Sequence, residues 1–390
     1  MDEQTAIDIL SGRRRGVLPT ALRTACHVAS WGYAAAMALR SAGYDHGWLK
    51  THRVACPVIS IGNITTGGTG KTPLVAWFAQ RLQQAGYRPG ILSRGYRSLQ
   101  TSTSSSSCAT GSASVVPMQD SDCTIGQKTL AEPVAHRGAN DEALVLERLC
   151  PGVTQVPMRD RVAGAAIAMD QDGCDALVLD DGFQHRRLAR NLDVVLIDAL
   201  QPWGFGHLLP RGLLREPLSA LRRADVVIIT RADQIAPDLL HELRTHIARI
   251  RGVDEHIAVR FAPKRFINAL DQPQPLSRDH RHWAAFCGIG NPDGFRRTLH
   301  ELGITGELKT FPDHHHYTRA DLDALTEWGA SHDVTEFATT LKDLVKIPTD
   351  HPLAEHIWAV EIAPEFVAGE DHLERHLSSL LPQRSTRAAA

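Results

Sequence analysis

Lys71 and Thr72 close a run of small residues, Thr66-Gly67-Gly68-Thr69-Gly70, within the stretch GNITTGGTGKTPL. A lysine beside glycine-rich backbone suits phosphate: glycines let N–H groups turn inward, and a helix starting there adds the favourable end of its dipole. In G-x-x-x-x-G-K-[ST] the lysine reaches the outer phosphates and the hydroxyl holds Mg²⁺. Thr65 stands at the first glycine position here, while Lys71 and Thr72 keep the register. A second set lies in ALVLDDGFQHRRL, where Asp180 and Asp181 are adjacent and Gln184 follows. Acids at the tip of a neighbouring strand hold Mg²⁺ or its water in phosphate-loop enzymes, and an amide nearby can orient an oxygen. The plainer alternative for the pair is a helix cap after a strand.

Weaker signals accompany these two. HLLPRGLLREPLSALRRAD offers Arg211, Arg215, Glu216, Arg222 and Arg223; an arginine there could spread charge on a transferring phosphoryl group, though arginine-rich helix starts are also ordinary surface. ITRADQI partly matches a purine-reading loop at Thr230 and Asp233, with Arg231 where lysine is usual. A strand end with a helix cap explains it equally. FPDHHHYTRADL sets an acid beside three histidines. Consecutive side chains cannot all face one point, so a trihistidine metal site is improbable. An Asp313–His314 pair, the carboxylate orienting the imidazole, is the better chemical reading, against surface histidines ahead of a helix. The glycine run also suits ATP-driven switch proteins of the partitioning type, but their diagnostic lysine before the paired glycines is Thr66 here.

The elements that must hold these residues follow from periodicity. PVISIG, PGILS, DALVLD, LDVVLID and ADVVIIT are β-branched and nearly unbroken, as expected of parallel strands buried on both faces. Helix-period segments lie between them at 72–85, 141–149, 159–170 and 237–250. This is a doubly wound, mostly parallel α/β core of the P-loop type. The pattern resets around APKRFINALDQPQPLSRD, where prolines mark a connection, and then HWAAFC, GELKTF, TEFATT and HIWAVEIAP alternate with helices as a second, smaller α/β domain. The expected divisions are an N-terminal segment at 1–53, the core at 54–262, a linker at 263–282, the smaller domain at 283–382 and a tail at 383–390. Residues 98–133 are Ser/Thr-rich with little apolar periodicity and read as an insertion without chemistry.

At 390 residues the chain exceeds what one core usually supports. A net charge of −2 gives no global basic surface for nucleic acid, and seven scattered cysteines without CxxC pairs read as reduced thiols. The N-terminus is different. Leu18, Leu22, Ala25, Ala29 and Ala36 recur at helical spacing, arginines lie at both ends, and Trp31, Tyr33, Tyr44 and Trp48 are interleaved. The uncharged run is too short to span a bilayer, and Arg23 and His27 interrupt it as a signal peptide. Two readings fit: an amphipathic helix in a membrane interface, or one packed on its own domain.

Taken together, SIGNITTGGTGKTP, LSRGYRS, NDEALVL, DDGFQHRRL, PWGFGHLLPRGLLREP, FCGIGNPDGF, FPDHHHYT and TTLKDLVKI resemble the tetraacyldisaccharide 4′-kinase family of lipid A biosynthesis, in order over 58–347. The resemblance implies ATP- and Mg²⁺-dependent phosphorylation of the 4′-hydroxyl of a lipid A disaccharide precursor at the cytoplasmic face of the inner membrane. It further implies that the N-terminal helix contacts membrane and lipid. It assigns Thr66 to Thr72, Tyr96 and Gln184 to the nucleotide, and Thr72, Asp180, Asp181 and Glu216 to the metal. Arg215, Asp141, Asp313 and His314 become catalytic, with Asp141 as base. Asn140 replaces the family's usual glycine before Asp141, and Leu341 replaces a common glutamate. Two other functions fit the motifs: a kinase of a soluble small molecule, needing no interfacial helix, and a non-catalytic nucleotide switch.

Overall fold

The structure is a computed structural model that describes residues 3–95, 141–276 and 282–381. Tyr96, the insertion at 98–133 and the tail at 383–390 lie outside the described residues. In chain order the elements are α1 (Glu3–Ser11), α2 (Val17–Asp45), β1 (Val58–Asn63), α3 (Lys71–Gln84), β2 (Pro89–Ser93), α4 (Asp141–Leu149), β3 (Thr154–Pro157), α5 (Arg161–Asp170), β4 (Ala176–Asp180), β5 (Leu192–Asp198), β6 (Val226–Thr230) and α6 (Pro237–Arg251). The second half continues with β7 (Ile257–Asn268), β8 (Pro273–Gln274), β9 (Trp283–Cys287), α7 (Pro292–Glu301), β10 (Leu308–Thr310), α8 (Arg319–Ser331), β11 (Glu336–Thr340), α9 (Leu341–Leu344), β12 (Ile357–Ala368) and α10 (Glu370–Leu380).

Twelve strands join in one sheet, in the order β10-β9-β11-β12-β7-β6-β5-β1-β4-β2-β3, with β8 beside β7. Strands β1 to β6 pair in parallel, as do β9, β10, β11 and β12. The two sets meet through the antiparallel pair β7–β12. Strand β1 is buried along its whole length, which explains its unbroken apolar sequence. Helix α3 covers it with Leu74, Val75, Phe78, Ala79 and Leu82, and these join Ile59, Ile61, Val178 and Val194 in one core. A separate core under Phe286, Leu322, Leu325 and Phe337 holds the smaller half.

The connection between halves differs from expectation. Residues 263–268, read as the start of a linker, form the second half of β7 and pair with β12. Pro263 lacks an N–H but faces Ile362 at a register shift, the kind of bulge where a strand tolerates proline. The ribbon bends there and again near Phe366. The bend carries the C-terminal ends of β9, β10 and β11 back toward α4: Lys342 reaches Glu142 at 3.1 Å, and His314 reaches Asp141 at 3.0 Å.

Parallel pairing gathers Asn63, Asp180, Asp198 and Thr230 at one edge of the larger half, with Ile61 opposite Asp180 and Asp198 opposite Thr230. The phosphate-loop strand sits against the turn after β4 without space for a side chain. A Cβ on Gly62 would lie 2.6 Å from the Phe183 backbone nitrogen. Gly62→Ala is therefore expected to cost about 2 kcal/mol of stability, as overpacking does; chemical denaturation measures it.

Candidate active site

After β1 the chain turns through Gly67 and Gly70, both at positive φ, and enters α3 at Lys71. Gly70 also needs the absence of a side chain, because a Cβ there would meet the Phe261 ring at 2.2 Å. A Cβ built on Gly68 would meet nothing within 4 Å, so that face of the loop is open. The outer face is braced: Thr66 N donates to Leu213 O (2.7 Å), Asn63 Nδ2 to Thr69 Oγ1 (3.1 Å) and Thr230 Oγ1 to Thr69 O (3.1 Å). Arg231, in a left-handed conformation, donates to Gly68 O at 2.7 Å and pairs with Asp198. Thr230 and Arg231, weak as base readers in the sequence, thus support the loop's backbone.

Asp181 is the centre of a charge cluster. Its Oδ1 lies 3.6 Å from Lys71 Nζ, and Arg215 Nη1 donates to both its oxygens at 2.8 and 2.7 Å. Burial pushes this carboxyl up, but Lys71 and Arg215 outweigh that effect and hold it below the usual range. Gln184 Nε2 donates to Asn63 O at 2.9 Å, while its Oε1 lies 3.4 Å from Arg215 Nη1. Asp180 differs: burial pushes it up to about 6, Lys71 offsets this only partly, and Asp181 adds to it. Among the described residues no hydrogen bond or ion pair engages its side-chain oxygens. Buried Arg161 instead donates to its main-chain oxygen at 3.3 Å, a brace not read from the sequence.

A second cluster forms where α4 meets the smaller half. Asp141, buried at the start of α4, accepts from His314 through Nδ1 and Oδ2 at 3.0 Å. His314 has positive φ, and its backbone N–H donates to Asp313 Oδ1 at 3.0 Å. Its Nε2 lies 3.9 Å from Asp313 Oδ2. The three histidines diverge: His315 turns to Asp321 (3.2 Å) and stacks on Phe311, and His316 is exposed. Glu142 links the clusters, for its charge raises Asp180 while Lys342, 3.1 Å away, holds its own carboxyl down against burial.

Glu216 is paired with an arginine in this structure. Both oxygens of this buried carboxylate accept from half-buried Arg223, at 2.6 and 2.7 Å. The sequence showed acid and arginine but not their pairing. The sequence also left Tyr33 and Arg40 of α2 without a role. Tyr33 Oη donates to Arg215 O at 2.8 Å, and Arg40 Nη2 to Gln184 O at 2.6 Å.

The sequence model of one family, described as tetraacyldisaccharide-1-P 4′-kinase, matches residues 22–382. The chain belongs to this family. Tetraacyldisaccharide 4′-kinase of Anaeromyxobacter dehalogenans (strain 2CP-C) is 40% identical over 353 residues, covering 89% of this chain and 87% of that protein. The enzyme of Syntrophus aciditrophicus (strain SB) is 36% identical over 338 residues, covering 83% of each. The crystal structure of the Aquifex aeolicus family member in complex with ATP superposes with a TM-score of 0.67 at 25% identity, covering 92% of this chain and 99% of that one. The α/β fold expected for such a kinase is the one observed.

Two outcomes test the site. Gly68→Ala is expected to keep the melting temperature, since a Cβ there meets nothing, yet to abolish ATP binding by filling the loop's open face; calorimetry and thermal melting separate the two. The raised Asp180 has a defined sign. A carboxyl at 3.8 unfolded and about 6 folded costs nothing when protonated, and the cost grows as pH rises between those values, then levels. Asp180→Asn is therefore expected to raise the ATP-free melting temperature little at about pH 4, increasingly to about pH 6, and constantly above.

Proposed function

We propose that this kinase transfers the terminal phosphoryl group of MgATP to the 4′-hydroxyl of a tetraacyldisaccharide 1-phosphate lipid A precursor held at the cytoplasmic face of the inner membrane. ATP-dependent phosphorylation of the disaccharide is the family's activity. The metal, the residue roles and the membrane are our reading. One observation carries it: the phosphate loop with its Lys71–Asp181–Arg215 cluster and the Asp141–His314 pair lie within electrostatic reach of each other through Glu142.

The oxygen donors suit Mg²⁺. Thr72 opens α3 beside Lys71, and the carboxylate of Asp180 is uncommitted among the described residues. There, no cluster of three or more histidine, cysteine or acidic side chains could hold a metal. That fits an ion bound through few protein oxygens and completed by phosphate and water. Thr72 and Asp180 would hold it, and when bound it would neutralise charge on the phosphate oxygens. The chain's own groups do the rest. Gly67 to Gly70 present N–H groups to the phosphates, Lys71 and Arg215 bring positive charge to the transferring group, and Asp141 accepts the sugar hydroxyl's proton. His314 orients Asp141 through Nδ1–H, and Asp313 restrains His314.

The membrane reading rests on α2. Among the described residues no helix is long and apolar enough to cross a membrane. Yet Val17, Leu18, Trp31 and Leu39 are 90%, 71%, 63% and 68% exposed, and Val17, Ala21, Ala25 and Val28 form an exposed apolar strip along one face of the helix. Arg13, Arg14 and Arg15 precede it. Exposed apolar surface beside arginines suits an interfacial helix at anionic lipid.

Purified protein with labelled ATP and a disaccharide-lipid acceptor is expected to move label into lipid; label remaining in nucleotide would reject the function. Asp141→Asn is expected to lower turnover by about 10²–10⁴-fold, the scale of lost general-base catalysis, with ATP binding kept. Replacing Val17, Leu18 and Trp31 together by glutamate is expected to abolish sedimentation with anionic vesicles without lowering the melting temperature.

A further inference from the structure

The Asp141 carboxylate is not symmetric in its surroundings. His314 Nδ1 approaches Oδ2 at 3.0 Å, and Lys346 Nζ approaches the same oxygen at 3.4 Å. Among the described residues Oδ1 has no partner. Lys346 leaves α9 with its side chain only 4% exposed and its ammonium also 3.3 Å from Asp343 Oδ1. Nothing buries an ammonium cheaply; it needs counter-charge.

Asp343 alone could supply that counter-charge, and it is already well served. Tyr317 Oη donates to its Oδ1 at 3.1 Å and Thr340 Oγ1 to its Oδ2 at 2.7 Å. Burial and the Asp343 charge raise the Tyr317 phenol, which keeps it a donor. Yet Lys346 Nζ makes no hydrogen bond in this arrangement, so its two carboxylates hold it by charge, one of them from the other half of the chain. The neighbouring ion pair Lys342–Glu142 repeats the cross-link one turn earlier, so Glu142 does not compete for Lys346.

We propose that Lys346 is a positioning residue for phosphoryl transfer: with His314 it pins Oδ2 of an ionised Asp141 and leaves Oδ1 as the oxygen that meets the acceptor hydroxyl. This rests on the kinase reading above. The hydroxyl's O–H bond breaks, its proton passes to Oδ1, and the electron pair left on the sugar oxygen attacks the terminal phosphorus of ATP as the bond from that phosphorus to the bridging oxygen breaks and its electron pair leaves with ADP. The charged groups facing Asp141 are His314 and Asp313 from the loop after β10, Lys342, Asp343 and Lys346 from α9 and its exit, and Glu142 beside it. Lys346 is the buried cation among them. Its positive charge favours an ionised carboxylate beside it.

The test is the pH profile of kcat/KM for the full chain with labelled ATP and disaccharide-lipid. Lys346→Met leaves Asp343 without its cation and can unfold the protein, so Lys346→Met with Asp343→Asn is measured as well and compared with Asp343→Asn alone, because the two lost charges act on Asp141 in opposite directions. The expected result is an acid limb moved up by about one pH unit, which is about a tenfold loss at a fixed pH on that limb. The alkaline plateau falls less, and the KM for ATP is unchanged. Independently of turnover, the His314 ring NMR signals move at higher pH in the variant than in wild type. A folded double variant whose acid limb and His314 signals stay in place, or whose loss is the same factor at every pH, overturns the proposal. Wild-type protein that labels no lipid overturns the kinase reading instead, and the NMR titration still decides Lys346.

Discussion

Most cations near the phosphate loop are paired with a carboxylate, and those pairs order the site. Lys71 and Arg215 share Asp181, Arg223 takes Glu216, Arg231 takes Asp198, and Lys346 bridges Asp141 and Asp343. These pairs fix the loops that carry them, since pulling one partner away strands the other in a poorly hydrated place. The loop around Arg215 is thereby tied to the strand-end acid of β4, and the exit of α9 to the start of α4. Among the described residues Asp180 keeps both side-chain oxygens free of hydrogen bonds and Asp141 keeps one; these are the acids we propose for the metal and the proton.

The fold gathers these groups by reversing direction once. Two sets of parallel strands would present their C-terminal ends at opposite edges of a flat sheet. The antiparallel β7–β12 ribbon, bent at two register shifts, brings them face to face. Phosphate loop and acceptor-side residues therefore come from sequence positions far apart, and the small residues between them have steric reasons. Gly288, for instance, leaves only 3.0 Å to Pro312 O and 3.2 Å to Asp343 Oδ1 for any Cβ.

Much of this was legible in the sequence because the signals are local. The strand–glycine loop–helix at 58–84 is written in burial periodicity and backbone freedom, and DDGF marks a strand end by itself. Asp313 beside His314 could be paired from adjacency. What could not be read depends on distance in sequence. The ribbon strand β7 carries Pro263, Lys264 and Arg265, which argue against a strand until β12 is seen beside it. The Glu216–Arg223 pair could not be read because nothing in the residues between them signals that Arg223 folds back upon the acid. Lys346 is an ordinary lysine in KDLVKI until the start of α4, some 200 residues earlier, supplies its second counter-charge.

Among the described residues, helix α2 hydrogen-bonds to Arg215 and Gln184 through their main-chain oxygens: Tyr33 holds the carbonyl of Arg215 and Arg40 that of Gln184. Side-chain substitution at Arg215 or Gln184 leaves the carbonyls in place, so the attachment tolerates sequence drift in the residues it steers. It also makes α2 a tiller. Any load that rolls the helix is delivered to the backbone of Arg215 and Gln184, and by the symmetry of linkage whatever those residues bind pushes back on the helix with equal free energy.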